Sequence, residues 1–286
     1  MRRGGSQRQR NVERRRIVVG ATLRKYREVA RVYLKSQLAW RADVMFQMFF
    51  TIGRILFAYL LWKVIFAGRD MVAGFKFDGM LSYYIFSSFL TQLDLSQGIS
   101  EEIHSRIRGG TFSKYMVLPV HTEGYFLAME VGVVLFYLVF DLIAAFVWVL
   151  IFGIRLQITG EPWIIFCAVL LVVLGLLFMV QLNYYLGLLT LKYQGIGTFL
   201  MIKNNLMALI TGSIVPLVLL PEGVVKIMRL LPFYYVTYLP SMLLVGRCGE
   251  EAVTGLAVLA VWCLLLQALI HVTWEKYSRR YDGVGI

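Results

Sequence analysis

Glu101 and Glu102 stand just ahead of His104 and Arg106 in one polar stretch of the chain, ISEEIHSRIRGGTFSKYMVLPV, Ile99 to Val120. Paired carboxylates beside an imidazole are groups that can activate water in general acid–base chemistry. A water-activating site would need further histidines at the same depth. The chain offers only His121, beside the same stretch, and His271, near the end of its last apolar run. Cys167, Cys248 and Cys263 are too few and too far apart for a disulfide framework or a zinc site. Gly109-Gly110, Gly195 and Gly197 lack the Lys-Ser/Thr and the preceding strand of a phosphate-binding loop.

These polar residues must be held by what flanks them, and the flanks are apolar. Apolar residues make up 59% of the chain and charged residues 16%, against about half and a quarter in soluble domains. The composition marks a membrane protein. Runs that can cross about 30 Å of hydrocarbon extend over residues 42–67, 80–99, 124–152, 163–191 and 252–274. Met207 to Leu220 is too short to span alone, so a fifth span is placed over 196–220, with Lys203 and Asn204 in its cytoplasmic end. Short helices then return partway into the outer leaflet. Pro216, Pro221, Pro232 and Pro240 interrupt this broken segment, which is a candidate exit gate, because irregular backbone at membrane depth is tolerated where it lines a cavity. The expected fold is all-α: a polytopic membrane protein with six transmembrane helices, a basic flexible arm over 1–22 and a single six-span domain over 23–286.

Charge orients these spans. Residues 1–41 carry thirteen Arg and Lys against Glu13 and Glu28, so nearly all of the net +12 lies there. Nucleic acid is one partner for such an arm. A basic stretch directly before a span is more simply an anchor on the anionic headgroups of the cytoplasmic leaflet, and no nucleic-acid partner is expected. Leu23, Tyr26, Ala30, Tyr33, Leu34 and Leu38 recur near helical spacing among Arg24, Lys25, Arg27, Arg31 and Lys35, which suits an interface helix over 23–40. Lys and Arg crowd the arm, the 99–120 stretch, the fourth-to-fifth connection and the tail. The intervening loops hold few. Both termini are therefore expected in the cytoplasm.

The 99–120 stretch then faces the cytoplasm. Ile99, Ile103 and Ile107 repeat every four residues and form one apolar stripe, with Glu101, Glu102, Arg106 and Arg108 on other faces, before Gly109 and Gly110 stop the helix. Thr111 or Ser113 can cap a second short helix that ends at Pro119. Two readings fit this pattern: a rigid handle for a soluble partner, and an ordinary solvated loop.

Ionisable groups inside spans are costly. Arg54 in the first span needs a carboxylate or a wet neighbour, and Asp94, Glu130 and Asp141 can supply one. An ion pair that holds the bundle together is favoured over direct contact with a transported substrate. Asn183 can hydrogen-bond across helices. The tyrosine pairs 83–84, 184–185 and 234–235 suit stacking on a substrate, the aromatic belt or packing.

The amphipathic helix before the first span, the acidic-basic helix followed by Gly110-Thr111 and Leu118-Pro119, the broken fifth span and LPFYYVTYLP (Leu231 to Pro240) together resemble the membrane subunits of type-2 ATP-binding cassette (ABC) exporters. KYREVARVYLKSQLAWRADVMF is similar to the small bacterial permeases that work beside a separately encoded ATPase. The resemblance covers essentially the whole chain from Leu23. It implies a coupling helix at about Ser100 to Arg108 docking on ABC ATPase subunits, with Glu101, Glu102, Arg106, Arg108 and Lys114 as polar contacts and Gly110 and Thr111 serving the turn. It further implies a second permease chain, identical or related, ATP and magnesium bound by the partner rather than by this chain, and a place in the bacterial inner membrane. A gradient-driven transporter or channel is the alternative, although the two halves share no evident repeat. Glu101-Glu102-x-x-x-Arg106 also resembles a motif of CAAX-processing intramembrane proteases, but the histidine settings of that family are missing.

Overall fold

The computed structural model describes residues 4–39, 41–72, 74–153, 155–193, 195–210, 217, 220–278 and 281, and about 80% of it is helical. Helix α1 spans Gly4–Gln37 and α2 Arg41–Ile65. The helix expected over 23–40 therefore continues upstream to Gly4, through a stretch with no proline to stop it. Helix α3 spans Phe77–Leu93, α4 Gln97–Arg108, α5 Ser113–Met116, α6 Thr122–Phe152 and α7 Pro162–Leu188. Helix α8 spans Gly197–Ile210 and α9 Glu222–Met228; a π-helical turn at Tyr234–Tyr238 leads into α10, Leu239–Leu244, and α11 closes the chain at Ala252–Tyr277. Pro216 and the side chain of Arg54 lie outside the described residues.

Among the described residues, three stretches are long and apolar enough to cross a membrane: Thr122–Ala144, Pro162–Leu191 and Gly249–Tyr277. Leu56–Ile65 and Gly197–Ile210 are shorter apolar helical stretches. The protein is thus an all-α, multi-pass membrane protein. Its long helices start and stop close to where the apolar runs do. Proline at the opening of α7 costs nothing there, since the first-turn N–H groups have no partner within a helix.

A further boundary differs from the sequence expectation. The second apolar run does not continue as a helix to Ile99: α3 ends at Leu93, Asp94 turns to extended backbone, and α4 begins at Gln97. The cause is local. The Asp94 carboxylate accepts hydrogen bonds from the backbone N–H and the hydroxyl of Ser96, a side-chain turn that competes with the helical ladder.

Helix α7 is the axis of the bundle, with α11 along its length, α4 against its C-terminal end and α10 nearer its start. The main core joins Trp62 of α2, Tyr83 of α3, Cys167, Leu171 and Phe178 of α7, the π-turn and Leu259 of α11. Gly175, midway along α7, lets the backbone of Val236 approach: a Cβ there would lie 3.3 Å from Val236 Cα. The broken segment therefore reaches the middle of the bundle. Tyr234, Tyr235 and Tyr238 are buried core residues rather than belt residues.

Candidate functional site

Helix α4 lies across the end of α7 with its isoleucine stripe inward. Ile99, Ile103 and Ile107 are all fully buried and pack with Phe112 and Tyr115 against Phe126 of α6, Val180, Tyr184 and Leu188 of α7 and Ile270 of α11. Gly187 permits the approach, because a Cβ there would lie 2.8 Å from the Cβ of Ile103. The His104 Nδ1 and the Thr190 hydroxyl, which is fully buried, share a hydrogen bond of 3.0 Å. Burial, and then the charge of Arg108, hold the His104 pKa below the ordinary histidine value.

The stop after α4 is a glycine-terminated helix end. Gly110 adopts φ +67°, the Thr111 N–H donates to the Arg106 carbonyl over 2.9 Å, and the Gly110 N–H donates to Ile107. These are the bonds of a Schellman turn. Neither Thr111 nor Ser113 provides a side-chain cap for α5. The turn is braced instead from the far end of the chain, where the Tyr281 hydroxyl accepts the Phe112 N–H over 3.0 Å.

The charges expected to serve one partner divide into two groups. Glu102 is committed within the chain: it accepts from Arg106 Nε at 2.9 Å and the Tyr115 hydroxyl at 2.7 Å, with Lys114 Nζ at 3.7 Å. Burial pushes the Glu102 carboxyl up, but the Arg106 and Tyr115 bonds and the charges of Arg106 and Lys114 outweigh it and leave the pKa below the usual value. Burial, then the Glu102 bond, push the Tyr115 phenol up. Glu101, Ser105 and Arg108 are exposed and recur at i, i+4 and i+7, so they form one outward edge of α4.

Behind α4 lies a buried polar joint. The Asn183 amide of α7 donates to Ser96 Oγ at 2.7 Å and to the Met179 carbonyl, while its oxygen accepts from Lys203 Nζ of α8 at 3.1 Å. The Glu130 carboxyl of α6 lies beside the backbone of Leu95 and near the Asp94 carboxyl. Its Oε1 is buried without a hydrogen-bond partner among the described residues. The three residues between α3 and α4 are thus held by α6, α7 and α8 together. Asp94, Glu130 and Asn183 are united as candidates. Asp141 is also buried but lies eleven residues further along α6, about 16 Å away.

At the opposite end of α7 the prolines shape the broken segment. Pro221 precedes α9, Pro240 sits in the first turn of α10, and the Pro232 carbonyl accepts the Tyr235 N–H. Arg229 and the Tyr234 hydroxyl bind the two oxygens of Glu251 at 2.7 and 3.0 Å, fastening this segment to the start of α11.

Helix α1 packs on α6. The Tyr26 hydroxyl accepts the His121 N–H, Lys25 donates to the Pro119 carbonyl, and the Tyr33 and Tyr125 hydroxyls are 2.9 Å apart. Small residues make the contact possible: a Cβ at Gly124 would meet the Tyr26 ring, and one at Gly132 would run into the Ala30 carbonyl.

Lys203, Ser96, Gly187, Tyr115 and Tyr281 were not among the residues that sequence reasoning put forward for a site. Lys203 left a signal, as the one cation in the apolar run Gly197–Ile210. The others left none.

A family model described as ABC-2 family transporter protein matches residues 52–285. Neither a curated protein nor a solved structure matches the chain.

Proposed function

The chain belongs to the ABC-2 family of transporters, and from that premise we propose that it is the membrane subunit of an ATP-driven exporter that receives work through α4 from a separate ABC ATPase. In this reading ATP and magnesium belong to the partner. Two permease chains, identical or related, form the path. Helices α2, α3, α6, α7 and α11, with α8 and the segment after it, make six spans in the bacterial inner membrane, with both termini cytoplasmic.

The observation that carries the proposal is the seating of α4. A solvated loop has no need for three fully buried isoleucines, and a helix so packed moves with its neighbours, because close-packed interiors transmit displacement rather than absorb it. Glu101, Ser105 and Arg108 give a soluble partner its contact. Displacement of α4 passes to α7 through Ile103 and Gly187, and to α6 and α8 through the joint at Asp94–Ser96. At the other end the Pro221–Pro240 segment, inserted between α7 and α11, serves as the exit gate that the rocking helices open.

The test is co-purification of the detergent-solubilised chain with the ABC ATPases of its own cell, comparing wild type with a Glu101→Arg, Arg108→Glu double reversal. ATP hydrolysis is then read after reconstitution in vesicles. A complex that forms with wild type and is lost on reversal supports the reading. A chain that holds no ATPase under any condition removes the exporter and leaves gradient-driven transport.

A further inference from the structure

Two clefts flank α1. One, about 770 Å³, lies between Leu23 and Ala30 of α1 and Leu127, Val131 and Leu135 of α6. The other, about 920 Å³, runs along Val29, Val32, Tyr33 and Tyr125. Arg24 borders both. Its neighbours on α1 are engaged: Lys25 donates to Pro119, and Arg27 and Arg31 share Glu28 at 3.6 and 3.7 Å. Arg24 has no hydrogen-bond or ion-pair partner among the described residues, and the clefts it lines are otherwise mostly apolar, with Arg27 on the α1–α6 cleft and Lys25 and Glu28 on the other.

We propose that the α1–α6 cleft seats an anionic phospholipid, with Arg24 taking the phosphate and the Leu127–Leu135 wall taking an acyl chain. The geometry restricts the occupant. A soluble anion would satisfy the guanidinium, whose planar fork matches phosphate oxygens, but it carries no acyl chain to fill the apolar α6 wall. A zwitterionic lipid would fill the wall and give Arg24 a phosphate already balanced by its own cation. An anionic lipid satisfies both. Its position also has a structural effect, since Tyr26 and Lys25 on the same turns of α1 hold the residues just after α5. An occupied seat braces α1 on the start of α6. This inference stands apart from the transport reading and survives if that reading fails.

The experiment uses the full chain, delipidated in detergent and titrated with a short-chain phosphatidylglycerol, a phosphatidylcholine of the same chain length, or glycerol phosphate. The midpoint of thermal unfolding is read by tryptophan fluorescence, and the lipid retained is read by native mass spectrometry. Phosphatidylglycerol is expected to raise the wild-type midpoint by several degrees more than phosphatidylcholine, and glycerol phosphate to leave it unchanged. Arg24→Gln should erase the phosphatidylglycerol excess, and Arg24→Lys should keep it in weakened form. Arg31→Gln, on a residue that lines neither cleft, should leave it intact. Val131→Trp, which fills the cleft, should lower retention of both lipids. Equal responses to the two lipids, an excess that survives Arg24→Gln, or a full response to glycerol phosphate would each overturn the proposal.

Discussion

Replacing Gly187 with alanine is expected to loosen α4 from α7. The new Cβ would lie 2.8 Å from the Cβ of Ile103 and 3.1 Å from its Cγ2 and Cδ1, where ordinary contact begins near 3.4 Å. The helices must part by roughly 0.6 Å, and a gap of that order forfeits about a quarter to a half of the dispersion energy of each contact it opens. Overpacking of this kind costs about 1–3 kcal/mol. The clash involves the Cβ of Ile103, so truncating Ile103 to alanine relieves only its outer atoms. Ile103→Ala alone should cost about 2–5 kcal/mol, and the double variant should fall short of the sum by about 0.5–3 kcal/mol, because the two sites share one contact. Unfolding of all four proteins in detergent micelles measures the cycle. Strictly additive costs, or a Gly187→Ala chain as stable as wild type, would mean that α4 is not seated on α7 at this point and could not pass displacement through it.

Three further outcomes follow from the same region. Gly110→Ala places a side chain at φ +67°, costs about 1–2 kcal/mol, and should speed hydrogen exchange at the Gly110 and Thr111 amides while sparing those of α7. Lys203→Met removes a charge-assisted bond to buried Asn183, worth about 1.5–3 kcal/mol, and adding Asn183→Leu should recover part of that loss in the unfolding midpoint. The folded Glu102 carboxyl sits below its ordinary value, so its stabilising effect is present above the ordinary carboxylate range and is lost as pH falls through the lowered value. Protection of the Ser113–Met116 amides should therefore drop below about pH 4, whereas Glu102→Gln should lack most of that protection already at neutral pH.

The long apolar helices, the isoleucine stripe and the glycine stop could be read directly, because each is a local signal. Ile99, Ile103 and Ile107 mark which face of α4 is buried, and Gly110 marks where the helix ends. Periodicity names a face without naming what covers it, so the matching Gly187 stayed invisible among the chain's other glycines. The second apolar run was read as one helix six residues too far, to Ile99, because Asp94–Ser96 interrupts it by hydrogen bonding rather than by proline or glycine. Glu102 was grouped with Glu101 because adjacent carboxylates look alike in sequence. What separates them is Tyr115, thirteen residues on, which α5 folds back against the same oxygen. The joint was harder still: Ser96 and Asn183 are 87 residues apart, and only the placement of α7 beside the α3–α4 break brings them into contact.

The seat of α1 on α6 bears on how the chain is made. Tyr26 and Lys25 bind groups 95 and 94 residues downstream, and the glycines that admit the helix lie on α6. During synthesis, at about 5–20 residues per second, α1 leaves the ribosome roughly 5–20 seconds before the surface it will rest on exists. Over that interval α1 waits without the α6 surface on which it comes to rest. A chain whose Gly132 is enlarged would complete α6 on schedule and then find α1 with nowhere to settle, a defect of assembly order that no local property of α1 reveals.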